Sequence, residues 1–139
     1  MTEYIHRVNY YETDKMGITH HSNYIRFMEE ARIKWLDDIG FSYKRCESMG
    51  IISPVLSVDC QYKKDTTFDD IITIKVRLKE YTGIRMVYSY EMFVGSSLVA
   101  LASSSHCFVT KEGIPVRIKR DYPELNQTLL DNIEPDTEE

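Results

Sequence analysis

From residue 22 to residue 39, apolar side chains recur at steps of three and four: Tyr24, Phe27, Met28, Ala31, Trp35 and Ile39. That spacing predicts an amphipathic helix of about five turns. It would be about 27 Å long at 1.5 Å per residue. Ser22 or Asn23 suits the N-cap and Gly40 the position just past the C-terminus. Arg26, Glu30, Lys34 and Asp37 fall on the polar face. Arg32 falls beside the apolar stripe and needs a partner, with Glu29 three residues away as the nearest. After Gly50 the period changes to two. Ile72, Ile74, Val76 and Leu78 alternate with Thr73, Lys75, Arg77 and Lys79, as in a strand with one buried face. Further strands are expected over 4–11, 57–64, 86–94, 98–110 and 114–118. Thr82-Gly83, Gly95-Ser96-Ser97 and Glu112-Gly113 supply the turns. A short helix is expected over 121–133.

Consecutive strands joined by short glycine-containing turns make an antiparallel meander. One long helix with such a sheet gives an α+β fold, a curved sheet of about five strands wrapped around a central helix. The 139 residues suffice for one domain, expected over 1–133, and the acidic stretch 134–139 reads as a disordered tail. Exposed strand edges and ten Tyr residues favour a homo-oligomer, a dimer or a tetramer, in which paired edges satisfy each other.

Composition narrows the chemistry. Cys46, Cys60 and Cys107 are widely spaced and form no C-x-x-C pair, so a disulfide framework or zinc site is not expected and a cytoplasmic setting is. No run reaches the ~20 apolar residues of a membrane span. The first residues lack the apolar core of a signal peptide. A net charge of −5 argues against nucleic acid as a partner.

The candidate chemistry lies between the first strand and the long helix, in Tyr11-Glu12-Thr13-Asp14-Lys15-Met16-Gly17-Ile18 and then His20-His21-Ser22-Asn23-Tyr24. A carboxylate just before a helix N-terminus places an ionised acid beside backbone N–H donors. That combination suits attack on a carbonyl: the acid handles the nucleophile and the helix end receives the charge on oxygen. Thr-Asp before Lys-x-Gly is also ordinary turn chemistry. His20, His21 and Asp14 do not make a convincing metal site, because adjacent side chains rarely aim at one ion.

The order of strand, Tyr-x-x-Thr-Asp-x-x-Gly loop, His-x-x-Tyr, Phe-x-Glu-x-Ala-Arg helix and meander resembles the hotdog-fold acyl-CoA thioesterases. It is most similar to the 4-hydroxybenzoyl-CoA thioesterase type and its bacterial short-chain acyl-CoA relatives. The matching residues are Tyr11, Thr13, Asp14, Gly17, His21, Tyr24, Phe27, Glu29, Ala31 and Arg32, with Phe68-Asp69-Asp70-Ile71-Ile72 as a second segment. The resemblance implies hydrolysis of a small or medium acyl-CoA without metal or cofactor. It makes Asp14 the catalytic carboxylate, a base or a nucleophile, and the His21 amide the carbonyl donor, and gives the His21 side chain an assisting role. It implies a pantetheine arm running between subunits. Tyr24 is carried as a substrate contact, although a core position is the more natural one for it. Lys79 and Arg85 are the basic residues left near the family's nucleotide site. Two other readings stand beside hydrolysis of acyl-CoA. One is a non-catalytic acyl-CoA-binding module; the other is a thioesterase acting on acyl carrier protein, met by Lys111, Arg117, Lys119 and Arg120.

Overall fold

The computed structural model describes residues 1–136. Along the chain run β1 (Thr2–Arg7), a 3-10 turn (Tyr10–Glu12), α1 (Asn23–Asp38), α2 (Tyr43–Ser48), β2 (Ile51–Ile52) and β3 (Val55–Tyr62). Then follow β4 (Ile71–Tyr81), β5 (Arg85–Val94), β6 (Ser97–Cys107), β7 (Val109–Thr110), α3 (Ile118–Asp121) and α4 (Pro123–Asp131).

Five strands form one antiparallel sheet in the order β1-β4-β5-β6-β3, while β2 and β7 pair separately. The meander is therefore β4-β5-β6, and β1 and β3 are the edges. Period-two patterning places Ile72, Ile74, Val76 and Leu78 of β4 on the same covered face as Met86, Tyr88, Tyr90 and Met92 of β5. Helix α1 lies on that face and buries Tyr24, Phe27, Met28, Ala31, Trp35 and Leu36. Each large side chain so buried contributes about 1.5–3 kcal/mol. Trp35 meets Tyr88 edge to face, ring centres 5.2 Å apart. This is the α+β hotdog arrangement expected above.

Helix α1 ends where the glycine rule places it. Gly40 has φ +87°, its N–H reaches the Asp37 carbonyl at 3.0 Å, and the Phe41 N–H reaches that of Leu36 at 3.0 Å. Several local expectations change. The first strand stops at Arg7 and gives way to the 3-10 turn, because the Val8 N–H and carbonyl pair with Asp70 and Asp69 instead. No strand covers 114–118: Pro115 makes one bridge to Val109, and Ile118 opens α3. The Arg32–Glu29 pair does not form. Glu29 is exposed, and Arg32 is buried with its Nη1 donating to the Tyr90 hydroxyl at 3.1 Å.

Edge strand β3 keeps Val55, Leu56, Val58 and Tyr62 exposed, because no helix covers its outer part. Of the acidic segment 134–139, residues 137–139 lie outside the described residues. The Glu134 N–H reaches the Leu78 carbonyl at 2.8 Å, its side chain meets the N-terminal amine, and Asp136 pairs with Arg77 and Lys79. Among the described residues, no helix is long and apolar enough to cross a membrane.

Candidate active site

The loop before α1 is closed by a short antiparallel ladder. Thr13 bridges Thr19, the His20 N–H reaches the Glu12 carbonyl at 2.8 Å, and the Asp14 N–H reaches the Ile18 carbonyl at 2.9 Å. Gly17 turns the tip in the left-handed region (φ +79°) and donates to the Asp14 carbonyl at 2.9 Å. Thr67 fastens the tip from outside, its hydroxyl donating to the Gly17 carbonyl at 2.7 Å.

Asp14 is half-buried on this loop. Its Oδ1 accepts the Met16 N–H at 2.8 Å, the local turn bond that the sequence allowed. One carboxylate oxygen is thus held by backbone, and among the described residues no hydrogen bond engages the other.

The start of α1 is anchored from below. Asn23 is buried, and its Nδ2 donates to the Glu12 carbonyl at 2.9 Å and the His20 carbonyl at 3.3 Å. Ser22 precedes the helix but does not cap it, because its hydroxyl turns to His20 Nδ1 at 2.8 Å. The Asn23 and Tyr24 N–H groups reach the His20 and His21 carbonyls at 3.0 and 3.2 Å. The His21 N–H has no acceptor among the described residues. The His21 side chain is exposed, its ring 4.3 Å from that of His20. Asp14 and His21 therefore flank one tied loop, with an available carboxylate oxygen on one limb and an available amide on the other.

Tyr24 lies beneath. It is 3% exposed, its hydroxyl is 2.9 Å from Thr66 Oγ1, and Thr66 donates on to Thr19 at 2.6 Å. Burial raises its pKa. This is the position of a support for the loop.

Two residues that the sequence did not single out complete the frame. Glu12 is buried, and its Oε1 accepts the Asn9 N–H at 2.7 Å and lies 2.8 Å from His6 Nε2. Tyr62, at the end of β3, donates its hydroxyl to the His21 carbonyl at 3.1 Å. Glu12 carried a signal, since it stands inside the quoted motif; Tyr62 carried none.

Lys79 and Arg85 do not join this group within the chain. The loop is tied to the segment just before β4, and Lys79 stands eight residues along that strand from Ile71. That is about 26 Å at 3.3 Å per residue. Lys79 Nζ is held by Asp136 at 2.8 Å, and Arg85 is exposed where β5 begins. Arg117, Lys119 and Arg120 gather there too, around a cleft with Thr82, Gly83 and Ile84. Lys111 does not line it. Among the described residues, no cluster of three His, Cys, Asp or Glu side chains is arranged to hold a metal ion. The three cysteines are free.

A second polar group lies under α1. Tyr90 Oη is 2.6 Å from Ser104 Oγ, which is 2.7 Å from His106 Nε2. Burial and then the Arg32 guanidinium push the His106 pKa down to about 3, so this imidazole is neutral at physiological pH.

The family model described as "Thioesterase-like superfamily" matches residues 8–129. An Aquifex aeolicus protein named as a candidate esterase is 39% identical over 88% of this chain and 94% of its own length. YneP of Bacillus subtilis, named as a candidate acyl-CoA thioesterase, is 34% identical over 84% of this chain and 86% of its own. The structure of a DHNA-CoA thioesterase from Staphylococcus aureus superposes with a TM-score of 0.90. It is 31% identical, covering 94% of this chain and 89% of that one.

Proposed function

The chain belongs to the thioesterase-like superfamily, and we propose how its loop and helix end divide the work of cutting an acyl-CoA thioester. The activity is acyl-CoA thioester hydrolysis. The observation that carries the assignment of roles is the pairing of Asp14, with one oxygen held by the Met16 N–H, and the unclaimed N–H of His21 at the entrance to α1.

The substrate carbonyl oxygen takes the His21 N–H. As the tetrahedral centre forms, negative charge grows on that oxygen, and the bond strengthens in the transition state. One such donor is worth about 3 kcal/mol. The helix dipole adds about 0.3–1 kcal/mol. Asp14 has two routes. It takes a proton from water as the water oxygen attacks, or it attacks the carbonyl carbon itself and forms an anhydride that water then opens. On both routes the C–S bond breaks, CoA leaves as a thiolate, and one water becomes part of the acid. The leaving thiol, with a pKa of about 8.5, needs no metal or cofactor to help it depart. The His21 side chain is free to orient water or the acyl group.

The finer placement is with the 4-hydroxybenzoyl-CoA thioesterase type, in a cytoplasmic homo-oligomer. Support for the assembly is the uncovered edge of β3. A partner strand there would satisfy that edge and bring a second subunit beside α1. Lys79 and Arg85 then serve the nucleotide of a CoA whose pantetheine arm crosses between subunits, since they lie far from Asp14 of their own chain. The basic cleft of Arg117, Lys119 and Arg120 favours a second reading, in which the acyl group arrives on an acidic carrier protein sharing the phosphopantetheine arm.

The test is release of free thiol from a panel of acyl-CoAs by the purified protein. Asp14→Asn should lower kcat by at least 100-fold with the thermal midpoint unchanged. Full activity of a folded Asp14→Asn protein would sink the mechanism.

A further inference from the structure

Helix α1 and edge strand β3 enclose a groove lined by apolar Ile25, Met28 and Val58 and by polar Arg26, Glu29, Arg32 and Ser104. Its walls are largely apolar, but its inner end is not. Arg32 is 5% exposed, and its Nη1 makes a single hydrogen bond to Tyr90. Its Nε is buried without a partner, and among the described residues no carboxylate forms an ion pair with it. A guanidinium presents five donors in a planar fork, and leaving a buried one without a counter-ion is strongly unfavourable. The neighbours do not supply the missing charge: Glu29, the carboxylate in the groove lining, is exposed and forms no ion pair with Arg32, Tyr90 and Ser104 are neutral, and His106 stays unprotonated beside the cation.

The groove runs along the helix and the strand that also carry the frame of the proposed thioester site. Ile25 is one turn below His21, and Tyr62, which holds the His21 carbonyl, lies on the same strand as Val58. Four residues of strand separate Tyr62 from Val58, about 13 Å. Along α1, eleven residues separate His21 from Arg32, about 16 Å. The arginine side chain leans back toward the helix start and shortens that span to roughly 10 Å. An acyl group bound with its carbonyl at His21 and its body along the groove would bring its far end to Arg32.

We propose that Arg32, supported by Tyr90 and Ser104, forms a specificity subsite for acyl groups whose far end carries an acceptor oxygen, a ring hydroxyl or a carboxylate. This rests on the thioesterase reading above. The fork takes the oxygen that completes its hydrogen bonds, while Ile25, Met28 and Val58 pack on the body of the acyl group. A purely aliphatic tail of the same length would seal the guanidinium off without a partner, and such substrates are disfavoured.

The experiment compares matched pairs by thiol release: octanedioyl-CoA against octanoyl-CoA, and 6-hydroxy-2-naphthoyl-CoA against 2-naphthoyl-CoA. The oxygen-tailed member of each pair should show at least tenfold higher kcat/KM. Arg32→Met should bring the ratio to one or below, by lowering kcat/KM for the oxygen-tailed member of each pair and raising it for the aliphatic or unsubstituted one. Octanedioate should also inhibit the unaltered protein at least tenfold more strongly than octanoate, a comparison that needs no variant to fold. Equal hydrolysis within both pairs, equal inhibition, or a preference that survives Arg32→Met overturns the subsite and leaves the thioesterase reading standing. Such equality is also the result if a carboxylate of a second subunit neutralises Arg32. No thiol release from any of the four CoAs overturns the thioesterase reading itself.

Discussion

The Tyr62 hydroxyl donates to the carbonyl oxygen of His21 across 3.1 Å, tying the outer strand of the sheet to the turn that opens α1. Burial, followed by neighbouring Cys60, pushes the Tyr62 pKa up to about 12, so the phenol remains a donor throughout the range in which thioesters are assayed. A bond of this kind contributes about 0.5–1.5 kcal/mol. Tyr62→Phe keeps the ring and its edge contact with Tyr24 and removes only the hydroxyl. We expect kcat/KM to fall roughly 2- to 10-fold, the range that such an energy spans, and the thermal midpoint to fall by about a few degrees at most. Unchanged kinetics in the variant would show that the bond does not position the helix start.

Glu12 and Asp14 stand two residues apart and should respond oppositely to removal. Glu12 is buried, and its Oε1 serves Asn9 N–H, Asn9 Nδ2 and His6. Glu12→Ala strands those groups in a closed site, at a cost of about 1–3 kcal/mol. Asp14→Ala removes one local turn bond at a half-buried position. Thermal melts should therefore drop clearly for Glu12→Ala and hardly for Asp14→Ala, while activity is lost most completely in the second. Equal melting shifts would contradict this division between frame and chemistry.

The contrast shows what a sequence can and cannot reveal here. The helix was legible because Tyr24, Phe27, Met28, Ala31 and Trp35 repeat over many turns, and β4 because its alternation is unbroken. Helix α2 was not: it has six residues, of which only Cys46 is buried, too few to establish a period. Asp14 and His21 stood out because the loop and helix start are contiguous in the chain. Arg32 was misread for the opposite reason. Its partner Tyr90 is 58 residues away on β5, and local spacing could offer only Glu29. Lys79 and Arg85 came from the resemblance as nucleotide contacts, and their distance from the loop was not legible, because it is set by the eleven residues of β4 and the turn into β5.

His106 makes stability depend on acidity. Its folded pKa is lowered from 6.5 to about 3, by burial first and by Arg32 second. Between those values the unfolded chain binds a proton that the folded chain refuses. The unfolded state thus holds more protons, and stability rises with pH across this window. The contribution is complete above about pH 6.5 and lost as pH falls toward 3, at up to about 1.4 kcal/mol per pH unit. Denaturation at pH 7, 6, 5 and 4 should show this slope, and His106→Gln should flatten it. An identical slope in the variant would assign acid sensitivity to other groups.

The uncovered edge of β3 gives the last prediction. Leu56 is 55% exposed beside a break in the β3–β6 register, and Val55 and Val58 are exposed near it. A long apolar edge of this kind invites a partner strand, whereas a lysine placed on an edge discourages pairing. If two subunits join here, the protein in solution has about twice the 16.3 kDa of one chain. Leu56→Lys should then shift it to the single-chain mass in light scattering behind a sizing column. Leu56 does not line the groove against α1, so the substitution leaves that chain's own groove residues in place. If the pantetheine arm crosses between subunits as proposed, activity toward acyl-CoA should still fall by more than tenfold, because the arm loses the second subunit's surface. A protein of single-chain mass with full activity before any substitution would refute both the edge pairing and the shared site.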